Sequence, residues 1–267
     1  EILRCLVGSE MCIRDRNEPL LVAFSTQKGG AGKTTLTVLT ASYLHYVKGL
    51  NVAVVDCDFP QFSIKDMRER DMKNIEQNER FKVAAYEQFK RLQKKAYPVL
   101  ESRPEDAASA AERLINSGMP LDIIFFDLPG TMYGTGIVNT IATMDYIFCP
   151  IAADRVVMES SLQFASMVND HLISSGKANI KGLYLLWNMV DGREKTDLYR
   201  IYEKVAAEMG VPILKTILPD SKRFRREAME EGNKAVFRST LFPPEKALIK
   251  GSNLDALSEE ILTIIKQ

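Results

Sequence analysis

Residues 27–35 have the residue types and spacing of a phosphate-binding loop. They follow an apolar, strand-like stretch, Leu21–Phe24, and run into a segment with helical periodicity. Glycines leave backbone N–H groups free to converge on phosphate oxygens, and the start of a helix adds a positive dipole. In such a loop Lys33 reaches the β and γ phosphates of a nucleotide and the Thr34 hydroxyl holds Mg²⁺. The predicted phosphate contacts are Gly29, Gly30, Ala31, Gly32, Lys33, Thr34 and Thr35.

A second lysine, Lys28, precedes the glycines, and two cations this close repel each other unless a polyanion lies between them. The stretch KGGAGKTT resembles the deviant Walker motif of the ParA/MinD family of dimeric ATPases. The resemblance extends over residues 20–265, and within the family it is strongest to ParA-like proteins of Bacteroidetes conjugative transposons. It implies ATP and Mg²⁺ as ligands, and a homodimer in which Lys28 crosses to the partner's nucleotide.

Two aspartates end the predicted strand 51–56 in the order Asp56-Cys57-Asp58. Because ligands bind at the carboxyl ends of parallel strands, these carboxylates are placed to hold Mg²⁺ through water and to orient an attacking water. The family pattern here is similar to DxDPQ, but this chain inserts Phe59 before Pro-Gln. The resemblance implies that Asp58 positions the water and that Asp56 supports the metal. It makes Lys28, Lys33 and Asp58 the catalytic set.

Asp127 ends the nearly unbroken apolar stretch LDIIFFD and is followed by Leu-Pro-Gly-Thr. A carboxylate after such a strand is the Walker B arrangement, which binds Mg²⁺ through water opposite Thr34. The family usually has a second proline or an alanine where this chain has Gly130. We therefore predict that the Gly130 N–H approaches the γ phosphate and that 129–136 senses the nucleotide.

The stretch Trp187-Asn188-Met189-Val190-Asp191 bears on which base is bound. Its Asn-x-x-Asp spacing resembles the guanine-binding NKxD signature, but the central lysine is absent and the double-lysine loop is typical of ATPases. The prediction is that Asn188 contacts the adenine edge and that Pro219 and Asp220 pack against the base. GTP stays open as the alternative ligand.

A dense basic cluster, Lys222, Arg223, Arg225 and Arg226, follows the predicted base site. On a helix near 220–231, three of these side chains would share one face. Such a patch neutralises phosphates and gives sequence-independent DNA binding, as related proteins do when dimeric with ATP. Arg193 matches an arginine that serves this purpose there. The alternative is an ordinary paired helix face, because three glutamates follow within residues 227–231.

Composition limits the remaining possibilities. The 267 residues carry 35 Lys+Arg and 35 Asp+Glu, so a DNA site must be a local patch rather than a general basic coat. Residues 1–16 resemble a translated sequencing adapter and are predicted to be poorly packed, which leaves 17–267 as one ATPase domain. Cys57 and Cys149 lie in apolar stretches and are predicted to be small buried residues.

Strand and helix patterns alternate along 20–266, which predicts a single α/β P-loop NTPase domain with a mostly parallel, twisted sheet and helices on both faces. The predicted strands are 20–26, 51–56, 97–101, 121–127, 146–150, 180–188 and 212–217. The predicted helices are 33–48, two within 61–96 that break near 77–79, 104–118, 156–174, 195–209, 220–231 and 253–266.

The carboxyl-terminal helix is apolar on one side and carries Asp255, Glu259 and Glu260 on the other. Acidic flanks repel anionic lipid, so we expect the helix to pack on the core and the protein to be cytoplasmic, on the nucleoid when ATP is bound.

A ParB-like or transfer-apparatus protein is the expected activator. Alternatives are a P-loop ligase, a MinD-like positioning ATPase and a switch without turnover. A nitrogenase-type reductase is disfavoured, since neither cysteine matches its cluster ligands.

Overall fold

The computed structural model describes residues 18–27, 29–130, 135–152, 154–176, 178, 180–193, 197–227 and 236–266. The predictions for 1–16, for Lys28 and for much of the 129–136 segment therefore concern residues outside the described ranges. Within the described part of the chain, no helix is long and apolar enough to cross a bilayer.

Strands and helices alternate through the domain. The strands are β1 (Leu20–Phe24), β2 (Val52–Asp56), β3 (Val99–Glu101), β4 (Ile123–Asp127), β5 (Tyr146–Ile151) and β6 (Gly182–Trp187). The helices are α1 (Lys33–Tyr46), α2 (Ser63–Gln77), α3 (Glu79–Leu92), α4 (Ala107–Asn116), α5 (Thr135–Ala142), α6 (Arg155–Val168), α7 (Leu198–Glu208), α8 (Lys246–Ile249) and α9 (Leu254–Ile265).

The six strands form one parallel sheet in the order β3-β2-β4-β1-β5-β6. Strand β1 is central, with Phe24 opposite Asp127 of β4 and opposite Phe148 of β5. Asp56 of β2 is in turn opposite Asp127. The register therefore places the phosphate loop and both strand-terminal aspartates at one edge of the sheet, as the sequence predicts.

Alternate strand residues point to opposite faces of the sheet, because the side-chain period of a strand is two. Ala23 belongs to a core beneath α4, α5, α6 and α7, whereas Val22 and Phe24 belong to a core beneath α1, α2 and α9. Cys57 and Cys149 are buried, as expected. These two cores confirm the predicted class of a parallel sheet covered on both faces.

One predicted strand does not form as such. Residues 212–217 run beside β6 and form one isolated bridge with it, Leu185–Ile213, while a second bridge, Val190–Pro219, lies just beyond both segments. The backbone bonds break off after the Leu214 N–H donates to the Leu185 carbonyl, and they resume where the Leu218 N–H donates to the Trp187 carbonyl. The ladder is interrupted between these bonds, so the described sheet has six strands.

The predicted break between the charged helices is confirmed at Asn78. Its backbone is extended, and its side chain accepts a hydrogen bond from the Arg80 N–H at the start of α3. An asparagine at this position satisfies a helix-terminal donor that the helix itself cannot, so it separates α2 from α3.

Candidate functional site

The phosphate loop joins β1 to α1 and needs glycine at Gly32. Gly30 and Gly32 have φ angles of 80° and 89°, in the left-handed region that side chains disfavour. A Cβ at position 32 would lie 2.6 Å from Nδ2 of Asn188. The usual P-loop pattern has a further glycine at position 27, where this chain has Gln27. Gln27 does not adopt a positive φ, which explains why a side chain is tolerated there.

Asn188 is part of the floor beneath the phosphate loop. Its Nδ2 donates to the Ala31 carbonyl at 2.8 Å, and the residue is buried at the end of β6. This bond uses one of the two hydrogens of the amide nitrogen, so the predicted contact with the adenine edge would use the other hydrogen or the Oδ1 atom. Asn188 still lines the cavity described below, and its main role in this geometry is to hold the loop in shape.

Lys33 is 8% exposed, and its ammonium lies between the phosphate loop and the segment after β4. Burial lowers the pKa of Lys33, and the carboxylates of Asp127 and Asp58 oppose this shift. A Cβ at Gly130 would lie 3.1 Å from the Lys33 Nζ and 3.3 Å from the Gly29 nitrogen. Gly130 is therefore required for close approach of this segment to the loop, consistent with its predicted proximity to the γ phosphate.

Asp127 ends β4 and is completely buried. Neither of its carboxylate oxygens has a hydrogen-bond partner. Burial raises the pKa of Asp127 to about 7, and the nearby Thr34 hydroxyl opposes the shift although it does not reach hydrogen-bond geometry. A buried carboxylate without partners is costly on its own, so this pair of oxygens suits a cation.

Mg²⁺ fits these residues when it is shared with substrate phosphates. Asp127 supplies an unpaired carboxylate and Thr34 a hydroxyl, which are the hard oxygen donors that Mg²⁺ prefers. Within the described residues no three or more His, Cys, Asp or Glu side chains form a complete metal site. The remaining ligands would be phosphate oxygens and water, as in P-loop NTPases.

The Asp56 carboxylate, predicted to support the metal, is hydrogen-bonded to backbone N–H groups. Its Oδ2 accepts hydrogen bonds from the N–H groups of Ile64 and Lys65 at 2.9 and 3.0 Å, and its Oδ1 accepts from the Asp58 N–H at 3.3 Å. The carboxylate thus satisfies the N-terminal donors of α2 and favours the dipole there. This geometry assigns Asp56 to positioning Asp58 and α2, and it gives no support to direct metal ligation.

The inserted Phe59 leaves Asp58 at the site. Phe59 is 47% exposed, and the Arg103 guanidinium lies 4.9 Å from its ring centre. The insertion is therefore accommodated on the outside of the turn, while Asp58 lines the same cavity as Gly30 and Lys33.

A cavity of about 570 Å³ extends from Asp58 along the phosphate loop to the segment after β6. The Asp220 N–H donates to the Val190 carbonyl, which holds Pro219 and Asp220 beside Asn188 as predicted for a base pocket. The part of the lining beyond the phosphate loop comprises Asn188, Met189, Pro219, Asp220, Ser221, Phe224, Arg225 and Arg238.

Asp191 does not offer a free carboxylate for guanine. Arg193 binds both of its oxygens, with Nη2 at 2.7 Å and Nε at 2.9 Å, and its backbone N–H donates at 3.0 Å. These bonds lower the pKa of Asp191 to about 2. The Arg193 side chain is 90% exposed. Since the guanine acceptor of an NKxD site is already paired, the geometry favours adenine.

The predicted helix at 220–231 is wrong over its described part. Lys222–Arg225 form one short 3₁₀ turn, and Arg226 is extended. The Arg226 carbonyl accepts hydrogen bonds from the Phe237 and Arg238 N–H groups, which ends any helix there. Arg223 donates to the Leu248 and Lys250 carbonyls, whereas Lys222, Arg225 and Arg226 are exposed. The three residues predicted to share a helix face are therefore exposed, but they lie on a short turn and the extended residue after it rather than on a helix.

Arg238 is a site residue that the sequence patterns miss. It lies far along the chain from the loop, yet its Nη1 donates to the Thr35 hydroxyl at 2.8 Å. It belongs to no phosphate-binding pattern, and only the packing of the segment from Val236 onward brings it to the cavity.

The fold resembles that of solved ATPases, although no curated protein matches the sequence significantly. Cell division ATPase MinD of Pyrococcus furiosus has a TM-score of 0.59 at 20% identity, covering 92% of this chain and 99% of its own. A putative plasmid partition protein of Borrelia burgdorferi, solved with AMPPNP, has a TM-score of 0.55 at 16% identity, covering 93% and 98%.

A third solved structure, a substituted McdA of Cyanothece in complex with ATP, has a TM-score of 0.54 at 14% identity over 94% of this chain and 96% of its own. At these identities the structures show a shared fold. The CbiA family model, described as the CobQ/CobB/MinD/ParA nucleotide-binding domain, matches residues 22–233, which is most of the chain. The chain therefore belongs to the CobQ/CobB/MinD/ParA family of nucleotide-binding domains.

Proposed function

We propose that the protein is a ParA-type ATPase in which ATP holds two subunits together and slow hydrolysis releases them. The observation that carries this proposal is the convergence of Lys33 and an unpaired, buried Asp127 carboxylate at the glycine loop. A cation and a metal-binding carboxylate at a helix N-terminus suit a nucleoside triphosphate.

The proposed chemistry follows from the roles of individual residues. Backbone N–H groups of 29–35 hold the phosphates, and Lys33 binds the oxygens of the transferred phosphoryl group. Bound Mg²⁺ would neutralise charge on the β and γ phosphates, held by Thr34 and Asp127. Asp58 orients the attacking water, and Asp56 holds the backbone of Asp58 in place through the 3.3 Å hydrogen bond.

The Lys28 side chain is proposed to cross to the nucleotide of the partner subunit. Its charge would then neutralise the phosphates from the second side, so that ATP stabilises the homodimer and hydrolysis weakens it. Lys28 lies outside the described residues, and this part of the proposal rests on the KGGAGKTT resemblance.

A role on DNA is proposed from the exposed cations. Lys222, Arg225 and Arg226 are exposed beside the nucleotide cavity, and Arg193 is exposed at its own turn. A dimer would double such a patch and bind DNA without sequence preference. We propose a role in partition, maintenance or conjugal transfer of a mobile element, on the nucleoid in the cytoplasm, with a ParB-like or transfer-apparatus activator.

The position of α9 favours this role over a membrane-recruited, MinD-like one. Its apolar residues Leu254, Leu257, Ile261 and Ile265 are buried in the domain core. On its polar side Glu260 accepts hydrogen bonds from the N–H groups at 215 and 216. Recruitment to lipid through α9 would require this packing to be lost.

Asp58→Asn tests the hydrolytic step. We expect turnover to fall by about 100-fold or more, because loss of a positioned acid or base costs about that much. The affinity for ATP should stay within about threefold, because Asn keeps the size of the side chain and removes a charge that repels phosphate.

The measurement is steady-state phosphate release beside direct ATP titration. Asp66→Asn, an exposed acid on α2, is the matched control. Wild-type turnover in Asp58→Asn would refute the assignment of Asp58.

The double change Lys222→Ala with Arg226→Ala tests the DNA patch. Both side chains are exposed and neither lines the nucleotide cavity, so ATP affinity should not change. With ATP, the slope of log affinity for duplex DNA against log salt should decrease by about two per subunit. Lys82→Ala on α3 serves as the control. An unchanged slope in the double variant would place DNA binding elsewhere or exclude it.

A further inference from the structure

Arg238 joins the nucleotide cavity to a charged cluster behind it. Its Nη1 donates to the Thr35 hydroxyl at 2.8 Å, and its Nη2 forms an ion pair with Glu227. Its Nε is buried and has no hydrogen-bond partner. Because each terminal nitrogen of a guanidinium carries two hydrogens, one hydrogen on Nη1 and one on Nη2 are left for another acceptor.

Glu227 fixes the position of the Arg238 guanidinium through an ion pair. One carboxylate oxygen pairs with Arg238 and the other with Arg70 of α2. The Arg238 and Glu227 side chains are only 22% and 20% exposed, so their positions are fixed by packing as well as by charge. Arg238 is thus a positioned cation rather than a mobile surface arginine.

The charges in this cluster do not balance. Three arginines, Arg68, Arg70 and Arg238, face two acids, Asp71 and Glu227. Asp71 already accepts three hydrogen bonds from Ser239 and Thr240. Among the described residues of this cluster one positive charge is therefore in excess, which favours an anionic ligand nearby.

We propose that Arg238 is a nucleotide-binding residue that contacts the α phosphate, a role that rests on the proposed ATPase function. The cavity has two ends. Lys33 lies at the Asp58 and Asp127 end, where the γ phosphate is expected. Arg238 lies at the Thr35 end, with Ser221 and Phe224 beside it in the same lining. The phosphate nearest Thr35 and farthest from Asp58 is the α phosphate.

This assignment predicts a selectivity that distinguishes Arg238 from Lys33. Arg238 contacts the phosphate that ATP, ADP and AMP share. Removing its side chain should therefore lower the affinity for all three nucleotides by a similar factor. We expect about 10- to 100-fold, the range of a hydrogen bond to a charged group. Adenosine has no phosphate and should bind equally well to wild type and variant. A general disturbance of the cavity would lower the affinity for adenosine as much as for AMP, and a role only in holding Thr35 would leave Arg238→Gln close to wild type.

The experiment measures the affinities of ATP, ADP, AMP and adenosine, by calorimetry for the tight ligands and by competition against labelled ADP for the weak ones. Arg238→Ala removes the contact. Arg238→Gln keeps a donor for Thr35 without the charge, so it replaces the alanine variant if that one does not fold. Arg200→Gln is the control, because Arg200 is an exposed arginine of α7 that pairs with Asp197 and does not line the cavity.

The proposal is supported if the Arg238 variants lose affinity for ATP, ADP and AMP by a similar factor, while their affinity for adenosine and all affinities of the Arg200 variant are unchanged. It is overturned if the Arg238 variants bind ADP within about twofold of wild type, or if adenosine weakens as much as AMP. These outcomes assume that wild type binds ATP and ADP. If wild type binds neither, the ATPase proposal itself fails.

Discussion

Lys33→Ala should reduce ATP turnover by about 100- to 1,000-fold, which is the usual cost of removing one donor that stabilises transition-state charge. The ammonium is held beside Gly130 in a nearly dehydrated position, where burial lowers the pKa of Lys33. A bound triphosphate would supply negative charge that compensates the ammonium for the hydration it loses on burial. The lysine should therefore matter far more with ligand than without it.

The Lys33→Ala variant should lose more affinity for ATP than for AMP. The affinity for ATP should fall by about 10- to 100-fold and that for AMP hardly at all, because Lys33 lies at the γ-phosphate end of the cavity. Titration of each nucleotide into the variant measures this order. Lys204→Ala, an exposed lysine on α7, is the control for loss of a positive charge. Equal ATP and AMP losses would contradict the proposed direction of the phosphate chain.

Asp127→Asn should make the ligand-free protein more stable at alkaline pH while nearly abolishing hydrolysis. In the folded protein burial raises the pKa of Asp127 from 3.8 to about 7. The native state then holds this proton more tightly than the unfolded chain, so stability is lost as pH rises from about 4 to about 7. The full shift corresponds to about 4 kcal/mol, because each pKa unit is worth about 1.4 kcal/mol.

Asparagine cannot ionise, but it is still a buried polar group without partners and keeps a cost of about 1–3 kcal/mol. At pH 8 the variant should therefore exceed wild type by about 1–3 kcal/mol, and the gain should vanish near pH 4. Denaturant unfolding of both proteins across this range, without nucleotide, measures the difference. If the free energy of unfolding has the same pH dependence in wild type and Asp127→Asn, burial does not raise the pKa of Asp127.

Much of the site follows from local sequence, because strand ends in a parallel sheet are brought to one edge whatever the details of packing. Gly32, Lys33, Thr34, Asp58 and the Pro219 turn all lie at the cavity as predicted. The boundary at Asn78 is equally local, since one side chain both ends a helix and begins the next.

The errors arise where tertiary contacts override local preference. Residues 222–226 have helical composition, but the Arg226 carbonyl pairs with the incoming chain at 237–238, so the helix stops after one turn. The α5 helix, Thr135–Ala142, lacks a charged periodic face, so no pattern predicts it. The hydrogen bonds of Asp56 are not predicted either, because its Oδ2 accepts from the N–H groups of Ile64 and Lys65 at the start of α2, while its role toward a metal stays a prediction.

Arg238 could not be found from sequence, because a single arginine in a loop carries no spacing signal. Its partners Thr35 and Glu227, and the Arg70 side chain that pairs with Glu227, come from three separate parts of the chain. Long-range ion pairs of this kind depend on how loops cross the sheet edge, which neither periodicity nor turn chemistry predicts.

The mass of the protein in solution with ADP, with ATP, and with ATP for Lys28→Ala is the most direct test of an ATP-dependent dimer. We expect monomers with ADP, dimers with ATP, and monomers again for the variant, which should still bind ATP through Lys33. Lys94→Ala, which removes an amine that contacts backbone carbonyls, should dimerise as wild type does. A wild-type protein that binds ATP and stays monomeric, or a Lys28→Ala variant that dimerises normally, would contradict the account.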